Sequence, residues 1–160
     1  MHPAAAAATT GDQMLEIIAF KLNHQQFCLR TETIREIRGW TPATPIPHAP
    51  VYVVGMMNLR GLVIPIVDLA RKLGMPDAVT QERSAIVVAE VHGMNLGLLV
   101  DEVSDILSVR SQSVQPVPNI HIASGVCYSA GIIVQESGMI CLLDLEQTFR
   151  DDDSGSLLAA

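Results

Sequence analysis

The sequence predicts a mainly β protein, built as two related small barrel-like units with a few short helices. Three observations carry this. Short runs rich in Val and Ile recur between turn residues along most of the chain. Helical signals are confined to two short segments, DLARKLG (68–74) and DLEQTF (144–149). The chain also matches itself, without gaps, at two fixed offsets.

From the N-terminus, MHPAAAAATTGD has no periodicity, so residues 1–13 are expected to be a flexible tail. LEIIAFKL (15–22), the turn NHQ and then QFCL read as a strand pair. TETIREIRGW (31–40) alternates apolar and charged residues, compatible with a helical turn leading into a strand. Four prolines in TPATPIPHAP (41–50) rule out a central strand and predict an ordered, extended loop. In MMNLRGLVIPIVDLARKLG (56–74), two apolar runs meet at Arg60-Gly61. Gly61 suits the positive φ of a tight turn, and Pro65 suits an edge strand or bulge. Asp68 is placed to cap the short helix and Gly74 to end it.

SAIVVAEV (84–91) with LGLLVDE after the turn HGMN, and IIVQ (132–135) with MICLLD after ESG, read as further strand pairs. Asp144 and Gln147 stand at capping-box spacing for the second helix. The acidic, Ser/Gly-containing end, 150–160, is expected to be a second flexible tail. An offset of 69 lays 15–37 on 84–106, matching Ile17 to Ile86, Glu36 to Asp105 and Ile37 to Ile106. An offset of 76 lays 55–69 on 131–145, matching Gly55 to Gly131 and Asp68 to Asp144. Such a repeat describes two similar β units, and small barrels close their own edges.

At 160 residues with 49% hydrophobic content, the chain buries a core without staples. A net charge of −7 and 4% aromatics supply neither a basic field nor a stacking platform, which argues against nucleic-acid binding. The three cysteines, Cys28, Cys127 and Cys141, form no C-x-x-C pair, and the five histidines are scattered, so no metal site or cofactor is expected. No basic n-region precedes the alanine run and no apolar run reaches about 18 residues, so a cytoplasmic location without membrane insertion is expected. There is no G-x-S-x-G and no phosphate loop, and nothing assembles acid, base and nucleophile; catalysis is disfavoured. A cysteine-dependent enzyme using Cys127 stays as the remote alternative. Arg60 is compatible with two readings: an exposed turn residue, or a partly shielded guanidinium at the mouth of a groove.

Taken together, Glu36-Ile37-Arg38-Gly39, Gly55 with Asn58-Leu59-Arg60-Gly61, Val63-Ile64-Pro65-Ile66-Val67-Asp68-Leu69, Gly97-Leu98-Leu99-Val100-Asp101 and Val103-Ser104-Asp105-Ile106-Leu107 resemble the signature of the CheW-like chemotaxis coupling domain. The matches span about residues 14–149. The resemblance implies two intertwined five-stranded SH3-like β-barrel subdomains and no catalysis. It implies an adaptor, monomeric in isolation and array-forming with its partners, that couples transmembrane chemoreceptors to the regulatory domain of a CheA-type histidine kinase. A pilus-motility or other chemosensory-like array is the alternative setting. Carried over by position, Ile34, Glu36, Arg60, Ile86, Val103 and Ile106 belong to the receptor-binding groove or its support, and Gly55 and Gly61 lie near the kinase surface. Ala70 stands where the family often has Arg after Asp-Leu, with Arg71 following, so a contact by that arginine is not carried over.

Overall fold

The computed structural model describes residues 13–75, 83–116, 129–136 and 138–149. Both expected tails, apart from Gln13, lie outside the described residues, as do Cys127 and His121. Eleven strands are described: β1 (Met14–Leu22), β2 (Gln25–Arg30), β3 (Ile34–Gly39), β4 (Val53–Leu59), β5 (Leu62–Asp68), β6 (Ala85–Val91), β7 (Met94–Val100), β8 (Glu102–Arg110), β9 (Val114–Gln115), β10 (Ser129–Gln135) and β11 (Gly138–Leu143). Two one-turn helices, α1 (Leu69–Lys72) and α2 (Leu145–Thr148), follow β5 and β11.

The strands form two sheets. Sheet A runs β8-β1-β2-β11-β10-β9 and sheet B runs β3-β6-β7-β5-β4. Each sheet therefore draws strands from both halves of the chain, which is the intertwining the family resemblance implies. The sequence repeat is realised element for element. β1, β2 and β3 correspond to β6, β7 and β8 at the offset of 69, and β4, β5 and α1 to β10, β11 and α2 at the offset of 76. Pairing irregularities also coincide: Ala19/Phe20 against β8 matches Val88/Ala89 against β3. The parallel contact of Ile66 with Gly97 matches that of Leu142 with Cys28. In sheet A the sixth strand is the two-residue β9; in sheet B its place is taken by the single bridge between Thr44 and Met56.

Local chemistry explains these elements. Two-residue hairpin turns favour residues that tolerate positive φ, because that twist matches the flanking strands. Asn23 and His24 (φ 51° and 68°) and His92 and Gly93 (51° and 77°) meet that need at equivalent places. Arg60 and Gly61 (52° and 89°) do so between β4 and β5. Asp68 and Asp144 cap their helices by accepting hydrogen bonds from the Arg71 and Gln147 N–H groups (3.3 and 3.2 Å). After α1, Gly74 N–H bonds the Arg71 carbonyl and Met75 N–H that of Ala70, the paired closure of a Schellman motif. Thr31–Thr33 form the expected helical turn before β3.

Pro65 is placed differently from the expectation. It lies inside β5, a strand with neighbours on both sides, rather than on a sheet edge or at the β4–β5 irregularity, which falls next to it opposite Ile66 and Val67. The parallel ladder to β7 begins only at Ile66, so the donor that proline lacks is not needed on that side.

The interior has three parts. Ile17, Ala19, Cys28, Ile133, Ile140 and Leu142 fill sheet A's own concavity. Leu59, Ile64, Ile66, Ile86, Val88 and Leu99 fill that of sheet B, closed by Trp40 and Ala43. The largest part, including Phe20, Phe27, Leu29, Val87, Leu98, Leu143 and Phe149, lies between the sheets. Strand alternation produces this: residues facing inward in one sheet leave their neighbours facing the other sheet.

Candidate docking groove and its charged flanks

The chain changes sheets twice. The chain passes from β2 in sheet A to β3 in sheet B, and from β7 in sheet B to β8 in sheet A; β3 and β8 end as edge strands. Their opposite ends are tied to the same neighbourhoods. Thr31, just before β3, donates to Glu16 (3.2 Å), which pairs with Ser108 near the end of β8. Glu102, at the start of β8, accepts from Arg83 (3.5 Å), beside Ser84, whose carbonyl takes the Trp40 N–H just past β3. The two crossovers thus run alongside each other in opposite directions, with the shared core beneath them.

Side-chain alternation gives the surface between them an apolar base. Half-buried Ile34 and Val103, equivalent at the offset of 69, pack on the shared core. Ile37 and Ile106, also equivalent, stand 40% and 60% exposed on β3 and β8. Exposed β-branched residues at matching positions on two facing edges give an extended apolar contact for a packed partner.

The far flank of β3 is charged. Glu36 pairs with Val88 and Arg38 with Ile86, so both point to the side of β3 away from Ile37. The β4–β5 turn brings Arg60 onto Glu36, and Arg38 reaches the same carboxylate at 3.3 Å. The turn is held by Asn58, whose side-chain oxygen accepts the Gly61 N–H (2.8 Å). The Arg60 hydrogen bond, aided by Arg38, holds the Glu36 carboxyl below its usual range; partial desolvation opposes this and loses. Of the two readings of Arg60, the structure fits the exposed turn residue: the side chain is 73% exposed in the β4–β5 turn rather than partly shielded, and it pairs with Glu36 from that position.

The equivalent flank of β8 carries other charges. Asp105 stands where Glu36 does, Leu107 where Arg38 does, and Glu136 where Arg60 does. Among the described residues neither Asp105 nor Glu136 makes an ion pair.

Against proteins of known family, the CheW-like domain matches residues 16–153. The chain belongs to this family. It is 46% identical over 153 residues to the chemotaxis protein CheW of Rhizobium meliloti, covering 96% of this chain and 97% of that protein. It is 46% identical over 154 residues to the probable chemotaxis protein CheW of Rhizobium etli, covering 96% and 98%. The crystal structure of the scaffolding protein TtCheW from Thermoanaerobacter tengcongensis superposes with a TM-score of 0.79 at 27% identity, covering 87% of this chain and 94% of that one.

Within this CheW-like domain the residues singled out from the sequence separate. Ile34 and Val103 are half-buried against the shared core and Ile106 is exposed on β8, while Glu36 and Arg60 form an ion pair on the other side of β3. Ile86 is 0% exposed in the core of sheet B, on the strand paired beside β3, and so is not part of the exposed surface. Gly55 is buried at the irregularity of β4, where a β-carbon would run into the Thr44 carbonyl. Gly61 is an exposed turn residue. Sequence reasoning left Ile37, Arg38, Asp105 and Glu136 out of the site, although the offsets of 69 and 76 already set Ile37 on Ile106, Glu36 on Asp105 and Arg60 on Glu136.

Among the described residues no group of three His, Cys, Asp or Glu could hold a metal ion. Cys28 is buried and its thiol pKa is pushed up to about 12, chiefly by burial, so it is an inert packing residue. Cys141 faces the opposite side of sheet A: it pairs with Phe27, while Leu142 pairs with Cys28. No helix among the described residues is long and apolar enough to cross a membrane.

Proposed function

We propose that this CheW-like domain is a non-catalytic adaptor in the cytoplasm, joining the tip of membrane chemoreceptors to a CheA-type histidine kinase and bringing autophosphorylation under receptor control. What supports the reading is the surface between β3 and β8, taken as the docking groove. It offers exposed Ile37 and Ile106 over an apolar floor, with the Glu36–Arg60 pair beside it. A helical hairpin laid along such a groove buries an apolar stripe, and the flanking charges set its register. The names of the Rhizobium relatives, over nearly full length, support the chemotaxis setting.

For the kinase, Gly61 offers an exposed turn at the end of sheet B. Gly55 acts from within, by letting the 41–50 segment lie close to β4. Reconstituting receptor, kinase and this protein, and following autophosphorylation with and without it, tests the proposal. Unchanged kinase activity together with no binding to either partner would overturn it.

A further inference from the structure

We infer that the groove reads the direction of the helix it binds, through opposite charge on two flanks that are otherwise built alike. This rests on the adaptor reading and adds to it the charge pattern of the partner. The groove is bounded by β3 and β8, which correspond residue for residue at the offset of 69. An apolar helix seated between equivalent, oppositely directed walls meets nearly the same surface after being reversed end for end: Ile34 for Val103, Ile37 for Ile106. Apolar contact alone therefore leaves the direction undetermined.

The charges remove that ambiguity. The β3 flank has two guanidiniums, Arg38 and Arg60, against the one carboxylate of Glu36. By equivalence with Glu36 and Arg60 at the offsets of 69 and 76, the β8 flank has two carboxylates, Asp105 and Glu136 of the β10–β11 turn, with Leu107 in place of the arginine. Asp105, Glu136, Arg38 and Arg60 are all exposed, so their field reaches a ligand lying along the groove. The fitting partner is an amphipathic helix with carboxylates along one side of its apolar stripe and Lys or Arg along the other. Reversing such a helix sets like charges against each other on both flanks, which is the repulsive half of a specificity device.

The test uses a helical-hairpin peptide of the receptor tip with a nitroxide near one end, added to the full, isotopically labelled chain. Paramagnetic broadening is compared between Ile34, at one end of the groove, and Val103, towards the other. The native chain is expected to show one end broadened severalfold more than the other. In Asp105→Asn/Glu136→Gln that ratio should fall toward one while binding persists. In Arg60→Glu/Asp105→Asn/Glu136→Arg it should invert. Equal broadening in the native chain, or an unchanged direction in the inverted variant, overturns the directional reading and leaves the adaptor reading standing. Absence of peptide binding to the native chain overturns both.

Discussion

Replacing Gly55 by Ala tests whether this residue serves the fold from within. A β-carbon at Gly55 would meet the carbonyl carbon and oxygen of Thr44, and Pro45 N at 3.1 Å, all of them backbone atoms. No rotamer change relieves such a clash, so the 41–50 segment must move away from β4. Movement breaks the reciprocal Thr44–Met56 hydrogen bonds, 2.8 and 2.7 Å long. Two backbone hydrogen bonds at about 0.5–1.5 kcal/mol each give roughly 1–3 kcal/mol. Residual overpacking adds strain of about 1 kcal/mol or more if the segment moves only partly, for an expected loss of about 2–4 kcal/mol.

Two further glycines calibrate the effect. At Gly131, the equivalent position, the nearest obstacle is a methyl of Val114, a side chain that can rotate, with the Gln115 carbonyl at 3.1 Å; Ala there is expected to cost about 1–2 kcal/mol. At Gly39 nothing lies within 4 Å, and Ala should stay within about 0.5 kcal/mol of the parent. Urea unfolding followed by Trp40, the one tryptophan, reports directly on sheet B, whose core that ring helps close. If Gly55→Ala unfolds at the same urea midpoint as Gly39→Ala, the steric reasoning is wrong and Gly55 matters for contact alone.

In a double-mutant cycle on receptor binding, Glu36→Arg combined with Arg60→Glu should recover part of what either change loses, whereas additive losses would count against a direct pair. Because the Glu36 carboxyl is held below its ordinary value, its pairing with Arg60 is complete at neutral pH and is lost only as pH falls through that lowered midpoint. NMR titration should show the midpoint rising toward the usual carboxylate value in Arg60→Ala, and an unmoved midpoint would refute the assignment. Asp144→Ala should destabilise by about 1 kcal/mol through the lost cap of α2, measured by thermal unfolding, with Asp144→Asn recovering most of it. Iodoacetamide at mildly alkaline pH should leave Cys28 unmodified in the native chain and label it in urea, as read by peptide mass mapping; native labelling would contradict its burial.

Local signals in the sequence were legible where one residue type answers one physical need. Asp68, Asp144 and Gly74 announced helix ends, and Gly61 announced a turn, because caps and positive φ admit few alternatives. Arg60 did not announce its own positive φ of 52°, since an arginine in that region is uncommon. β8 was visible only through the repeat and the family signature: VSDILSVR mixes polar and apolar residues because this edge strand stays half-buried or exposed along its length. Strand exchange between the sheets left no local trace, because the hydrophobic pattern of β3 is the same whether it pairs with β2 or with β6. The charged flank was half legible. Glu36 and Arg60 could be named, but Asp105 and Glu136 acquired meaning only once the two halves were seen to face one another.

The exchange of strands also sets an order of events during synthesis. Every strand of sheet B is contained in the first 100 residues, whereas sheet A is incomplete until Leu143 has left the ribosome. The β1–β2 hairpin, made first, must therefore wait for β8, β10 and β11 with Ile17, Ala19 and Cys28, which face sheet A's own core, uncovered. An early, apolar and unpartnered hairpin is the segment of the nascent chain most in need of shielding from its neighbours.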